Sequence, residues 1–148
     1  MAVRPIPEGY RSVTPYLIVE GAAELIDFMR EAFAAEQRFR MDAPGGSVAH
    51  AEVTIGDSVV MVADATGEWP ASRSTLHLYV EDCDTVYRRA VDAGATAVRE
   101  PRDEFYGDRS GCARDPAGNA WWIVTHVEDV PEDELARRAE AWAAQQPA

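Results

Sequence analysis

The chain has 148 residues, 47% apolar and 27% charged, which suits one domain with a full core or two small similar modules sharing one. A formal net charge of −12 and a pI near 4.6 argue against nucleic acid or an anionic membrane as partner. No apolar run approaches the roughly 18 residues of a membrane-crossing helix, and Arg4, Pro5, Pro7 and Glu8 interrupt any signal-peptide core, so the expected location is the cytoplasm.

Residues 1–11 carry two prolines and no hydrophobic period, and read as an N-terminal arm. Ser12–Glu20 is the first predicted strand, with Val13, Leu17 and Val19 on one face and Thr14, Tyr16 and Ile18 on the other. Gly21 ends it. Ala22–Ala35 reads as a helix with Leu25, Ile26, Met29 and Phe33 on one stripe. Strands follow at Gln37–Met41, Val48–Ile55 and Ser58–Ala63. Pro44-Gly45-Gly46 and Gly56-Asp57 form the turns between them. In the middle strand His50, Glu52 and Thr54 share one face, and Ala51, Val53 and Ile55 the other.

Residues 65–74 form a linker rich in turn formers. Thr75–Glu81 is the next strand, with Leu76, Leu78 and Val80 opposite Thr75, His77 and Tyr79. Asp82 or Asp84 caps a helix that runs to about Ala93 and ends at Gly94. Thr96–Arg99 is a short strand, and Pro101–Arg109 a polar and aromatic loop. Ser110–Arg114 and Trp121–Thr125 are the last strands, joined by the Asp115-Pro116-Ala117-Gly118-Asn119 turn, whose Asp and Gly suit a tight reversal. The tail, residues 129–148, is a separate helix with the stripe Leu135, Ala139 and Trp142. That stripe packs either on the protein's own sheet or on another subunit. Cys83 and Cys112 have no metal-binding spacing and read as reduced thiols.

Both halves therefore read β-α-β-β-β. An offset of 61 residues carries Val19-Glu20 onto Val80-Glu81, Thr14 onto Thr75 and Met61 onto Trp122. The predicted fold is α+β: an arm (1–11), a first module (12–64), a linker (65–74), a second module (75–128) and a C-terminal helix (129–148).

The doubled βαβββ unit, with Asp115-Pro116-Ala117-Gly118-Asn119-Ala120-Trp121, resembles the vicinal oxygen chelate superfamily, which includes glyoxalase I, extradiol dioxygenases and the fosfomycin- and bleomycin-resistance proteins. Thr14-Pro15-Tyr16-Leu17, His50-Ala51-Glu52, Gly56-Asp57-Ser58-Val59, His77-Leu78-Tyr79-Val80, Phe105-Tyr106-Gly107-Asp108-Arg109 and Thr125-His126-Val127-Glu128-Asp129 are similar to its PhnB-like branch. The resemblance implies curled mixed sheets around a cupped cavity, helices outside, and often a homodimer. It also implies four metal positions, which fall here on Thr14, Met61, Thr75 and Trp122. Two threonines, a thioether and an indole are not a divalent-ion ligand set. No cofactor is expected, and a divalent metal at a non-standard site is the minority reading.

Strand alternation gives the cup Tyr16, His50, Glu52, Met61, His77, Tyr79 and Trp122, with His126 beside them. Phe105 and Tyr106 stand ready to cover it, and Arg109 either holds an anionic group or pairs with Asp103, Asp108 or Glu52. Two readings of function follow. The first is a metal-free protein that sequesters a small aromatic or cationic compound, as bleomycin-type resistance members do. The second is a lyase, isomerase or dioxygenase-like enzyme using His50, Glu52 and His77 as catalytic groups. A structural dimer with a vestigial cup is a third.

Overall fold

A computed structural model of the chain describes residues 2–147. Met1 and Ala148, the ends of the predicted arm and tail, lie outside them. The elements are β1 (Tyr16–Val19), α1 (Ala22–Phe33), β2 (Glu36–Asp42), β3 (Val48–Ile55), β4 (Ser58–Asp64), β5 (Thr75–Tyr79), α2 (Cys83–Asp92), β6 (Thr96–Asp103), β7 (Asp108–Arg114), β8 (Ala120–His126) and α3 (Glu132–Ala144). They form two four-stranded mixed sheets, ordered β1-β4-β3-β2 and β5-β8-β7-β6. Among the described residues no helix is long and apolar enough to cross a membrane.

The two sheets repeat each other residue for residue at their parallel pairs. Tyr16 lies opposite Met61 in the first, and His77 opposite Trp122 in the second. Both members of the first pair map onto the second by the offset of 61 residues that the sequence suggests. The helix starts repeat as well. Asp64 Oδ1 accepts from the backbone N–H of Ala22 at 2.9 Å, and Thr125 Oγ1 accepts from that of Cys83 at 2.9 Å. Both are the same device at the same offset: a side chain from the module's last strand satisfies an orphan N–H at the helix start. Asp82 adds a local cap to α2 by accepting from Thr85 N–H.

Alternation sorts each strand between helix and solvent. Leu17, Val19, Val53, Val60 and Ile123 are buried on the helix side. Leu25, Ile26 and Met29 of α1 are fully buried against them, each worth roughly 1.5–3 kcal/mol relative to exposure. The core runs through both modules: α1 packs on α2, and the Phe33 ring lies 4.7 Å from that of Trp121.

Among the boundaries that depart from expectation, three shape the site. β1 begins at Tyr16, so Val13 is left almost fully exposed. β6 continues through Pro101 to Asp103, because an edge strand does not need the N–H that proline lacks. β7 begins at Asp108, so the predicted loop shrinks to residues 104–107. Gly107 closes that loop at φ 98°. Its carbonyl accepts from the N–H groups of Val127 and Glu128, and a Cβ there would lie 2.2 Å from the Glu128 carbonyl oxygen. Only glycine fits so close an approach.

Candidate functional site

The non-helical face of the first sheet carries a chain of four polar groups. β1 presents Tyr16 and β3 presents His50 and Glu52. Register places Met61 between them, opposite both Tyr16 and Glu52. The Tyr16 hydroxyl meets His50 Nδ1 at 2.8 Å, and His50 Nε2 meets Glu52 Oε2 at 2.9 Å. The arm adds the fourth member: the Tyr10 hydroxyl donates to Glu52 Oε1, and the Arg38 guanidinium covers the Tyr10 ring at 5.0 Å. In neutral His50, Nε2–H donates to the carboxylate and Nδ1 accepts from Tyr16, a directional relay. The Tyr10 hydrogen bond, and then His50, hold the Glu52 carboxyl below its ordinary range. Burial and the nearby Glu52 charge push the Tyr16 phenol up, so it stays protonated.

The corresponding face of the second sheet is aromatic and cationic. His77 and Trp122 sit opposite each other, and the His77 ring lies 5.2 Å from that of Tyr79. The Arg99 guanidinium lies over Trp122 at 4.7 Å. Arg99 Nη2 reaches Ser110 Oγ at 2.9 Å and Glu104 Oε1 at 2.7 Å, and Arg102 Nε reaches the same Glu104 oxygen at 2.9 Å. The Phe105 ring meets Tyr106 edge-on, and Trp142 of α3 closes over Phe105 at 5.6 Å. His77, Trp122, the two arginines, Glu104, Phe105, Tyr106 and Trp142 line an open cavity of about 450 Å³. A second cavity of about 440 Å³ opens where β1 and β5 approach each other, with Tyr16 and His77 on its walls. Beyond these lies a third cluster: His126 Nδ1 lies 2.8 Å from Asp108 Oδ1 and Nε2 lies 2.7 Å from Asp129 Oδ1, and the Tyr79 hydroxyl donates to Asp108. The two carboxylates, Asp108 first, raise the His126 imidazole above its ordinary value.

Of the expected catalytic set, His50 and Glu52 are therefore brought together, while His77 stands on the other module. No hydrogen bond or ring contact among the described residues joins it to them. Trp121 is buried under the helices and Trp122 faces the cavity, as alternation predicts. Arg109 faces the other way. It pairs with Thr125 across β7 and β8, and binds Asp84 of α2 through two nitrogens, at 2.8 and 3.0 Å, and Asp103 at 3.2 Å.

The family model for the Glyoxalase/Bleomycin resistance protein/Dioxygenase superfamily matches residues 12–123. The chain belongs to that superfamily. A Mycobacterium tuberculosis protein described as uncharacterized is 35% identical over 135 residues, covering 84% of this chain and 79% of its own. A counterpart in Mycobacterium bovis matches equally, with 89% of its length covered. Among solved structures, TioX from Micromonospora sp. ML1 shares the fold at TM-score 0.65 and 22% identity, covering 82% of this chain and all of that one. A glyoxalase I mutant from Zea mays shares it at TM-score 0.64 and 16% identity, covering 80% of this chain and 45% of that one.

The four positions that the resemblance assigns to a metal, Thr14, Met61, Thr75 and Trp122, carry two hydroxyls, a thioether and an indole. Thr14 lies ahead of β1 with its hydroxyl toward the Arg11 carbonyl. Met61, Thr75 and Trp122 occupy the other three. Among the described residues no three His, Cys, Asp or Glu side chains converge at a spacing that holds an ion. The donor set does not fit a divalent cation.

Five groups at these sites are not among those expected from sequence. Tyr10 comes from an arm without a period. Arg99, Arg102 and Glu104 come from a strand and loop whose alternation is broken, since the β6 register shifts on either side of Arg99. Trp142 was visible as an apolar stripe, but only its partner, Phe105, shows that the stripe closes a cavity.

Proposed function

We propose that this protein binds a small aromatic molecule, without a metal, in the cavity of its second module, and that it belongs to the PhnB-like branch of its superfamily. The observation that carries this reading is the convergence of Trp122, Phe105, Tyr106 and Trp142 with His77 on one cavity. Apolar and aromatic walls with a few placed polar groups are the usual makeup of a small-molecule pocket. Aromatic rings gain about 0.5–1.5 kcal/mol each from ring–ring contact beyond the area they bury. The open faces of both sheets also leave Tyr16, Phe39, Met41 and Tyr79 exposed. A second copy of the chain is the proposed cover, as a homodimer.

A thermal-shift screen of planar aromatic compounds tests the binding reading. Stabilisation by one of them, lost in Trp142→Ala, supports it. Stabilisation that survives in Trp142→Ala and Trp122→Ala places the ligand elsewhere. Elemental analysis of protein purified without chelator or affinity tag tests the metal-free part. One tightly held ion per chain contradicts it. Sedimentation velocity reads the dimer.

The Tyr16–His50–Glu52 relay favours a second reading, an enzyme of the superfamily. Glu52 orients His50, and His50 holds the protonated Tyr16 hydroxyl in position as a general acid. Under this reading His77 contributes a wall of the cavity shared with Tyr16 rather than a third catalytic group. Turnover abolished by His50→Ala and by Tyr16→Phe, with ligand affinity kept, distinguishes it from sequestration alone.

A further inference from the structure

The charge inside the second-module cavity is opposite to that of the whole chain. The protein carries −12, yet the charged groups on this cavity are two arginines, Arg99 and Arg102, and one carboxylate, Glu104. Glu104 is nearly buried, with 11% of its side chain exposed, and a single oxygen of it binds both arginines. One carboxylate holding two guanidiniums leaves a local surplus of one positive charge. Two like charges are costly to hold side by side unless a further anion neutralises them.

The donor inventory points the same way. A guanidinium offers five N–H donors in a fixed fork. The contacts of Arg99 to Ser110 and Glu104 all use Nη2. Nη1 makes no hydrogen bond among the described residues, and Nε is buried with no partner. Nη1, accessible and unpaired, is the donor that a ligand can reach, whereas Nε is closed off from the cavity. Arg102 spends Nε on Glu104, while more than half of its side chain stays exposed at the cavity. The Arg99 guanidinium lies over the Trp122 ring, its carbon 4.7 Å from the ring centre. A stacked, pre-oriented guanidinium loses less freedom when it binds a planar anion.

We infer that the ligand of this cavity is a planar aromatic carboxylate, its ring against the aromatic walls and its carboxylate on Arg99 and Arg102. This rests on the aromatic cavity proposed above and names the chemistry that cavity selects. The acidity of the whole chain favours a cation only at long range; at contact, the two guanidiniums decide.

The test is a calorimetric titration with three probes of one shape: 2-naphthoate, 2-naphthamide and 2-naphthylmethylammonium. The expected result is naphthoate bound about tenfold or more tighter than the amide, with the ammonium weakest. In Arg102→Gln, on a side chain that is 60% exposed, the preference for naphthoate over the amide falls by at least about threefold. In Arg99→Gln it disappears. Equal affinities, or the ammonium binding tightest, overturn the anionic assignment while leaving the aromatic cavity standing. Binding of none of the three, or naphthoate binding unchanged in Trp142→Ala, overturns the cavity reading itself and this inference with it.

Discussion

Asp115 ties together the turn that leads into β8. It is buried, and its carboxylate accepts from the backbone N–H groups of Ala117 and Asn119, from Asn119 Nδ2 and from Trp121 Nε1, at 2.8–3.0 Å. Asn119 in turn accepts from the Ser74 N–H through its own side chain. Asp115→Ala strands four donors at once, and the expected loss is about 3 kcal/mol or more in urea unfolding. A loss below about 1 kcal/mol would show that water replaces the carboxylate. Tyr10→Phe is milder and depends on pH. The Tyr10 hydroxyl keeps Glu52 ionised, so its contribution is present above the ordinary glutamate range, near 4.5, and fades as pH falls through the lowered folded value. The ring that covers Arg38 remains in the variant. The expected cost is about 1 kcal/mol at pH 7, discounted for partial exposure, and smaller at pH 3. An equal cost at both pH values would mean that the arm is held by packing alone. At this scale the sequence was informative wherever the strand period of two held. Tyr16, His50, Glu52, His77 and Trp122 all stand on the expected face. Arg99 does not yield to the same rule, because a register shift precedes it, and Tyr10 has no period to read.

α3 is the element most open to change. None of its residues is buried, and it is tied down at few points. Trp142 lies on Phe105, Arg138 binds Glu128 and the Phe105 carbonyl, and His126 bridges Asp108 to Asp129 in the segment that leads into the helix. The His126 tether has a predictable pH dependence. Its folded value is raised by two carboxylates, so the tether is complete below the ordinary histidine value near 6.5 and weakens as pH rises through the raised folded one. Hydrogen exchange of the Val127–Val130 amides should therefore speed up on alkalinisation, beyond the chemical trend, in the native chain but not in His126→Gln. The same extra increase in the variant would locate the effect elsewhere. The amphipathic pattern was enough to predict the helix and its apolar stripe. Whether the stripe met its own chain or another subunit was not readable from the pattern, because Phe105, on which Trp142 rests, is distant in sequence. Pro101 shows the opposite failure. A proline inside a strand pattern reads as a loop, and only the edge position of β6 makes it harmless.

At the scale of the molecule, a duplicated module has been given two different faces. The scaffold is kept, down to the helix-capping bonds from Asp64 and Thr125. The open faces diverged: a hydroxyl–imidazole–carboxylate relay on one, and an aromatic cavity with paired guanidiniums on the other. Duplication was legible because register conserves the offset even where identity is lost, whereas the contents of the cavity depend on contacts between distant loops. The central claim is that an aromatic ligand occupies the second-module cavity. Its most direct test follows the four tryptophan indole N–H resonances during titration with 2-naphthoate. Trp121, locked to Asp115, and Trp69, out in the linker, serve as internal controls. With the ligand in this cavity, Trp122 and Trp142 shift together and saturably while Trp69 and Trp121 stay. Shifts confined to Trp69, or none at saturating ligand, would contradict it.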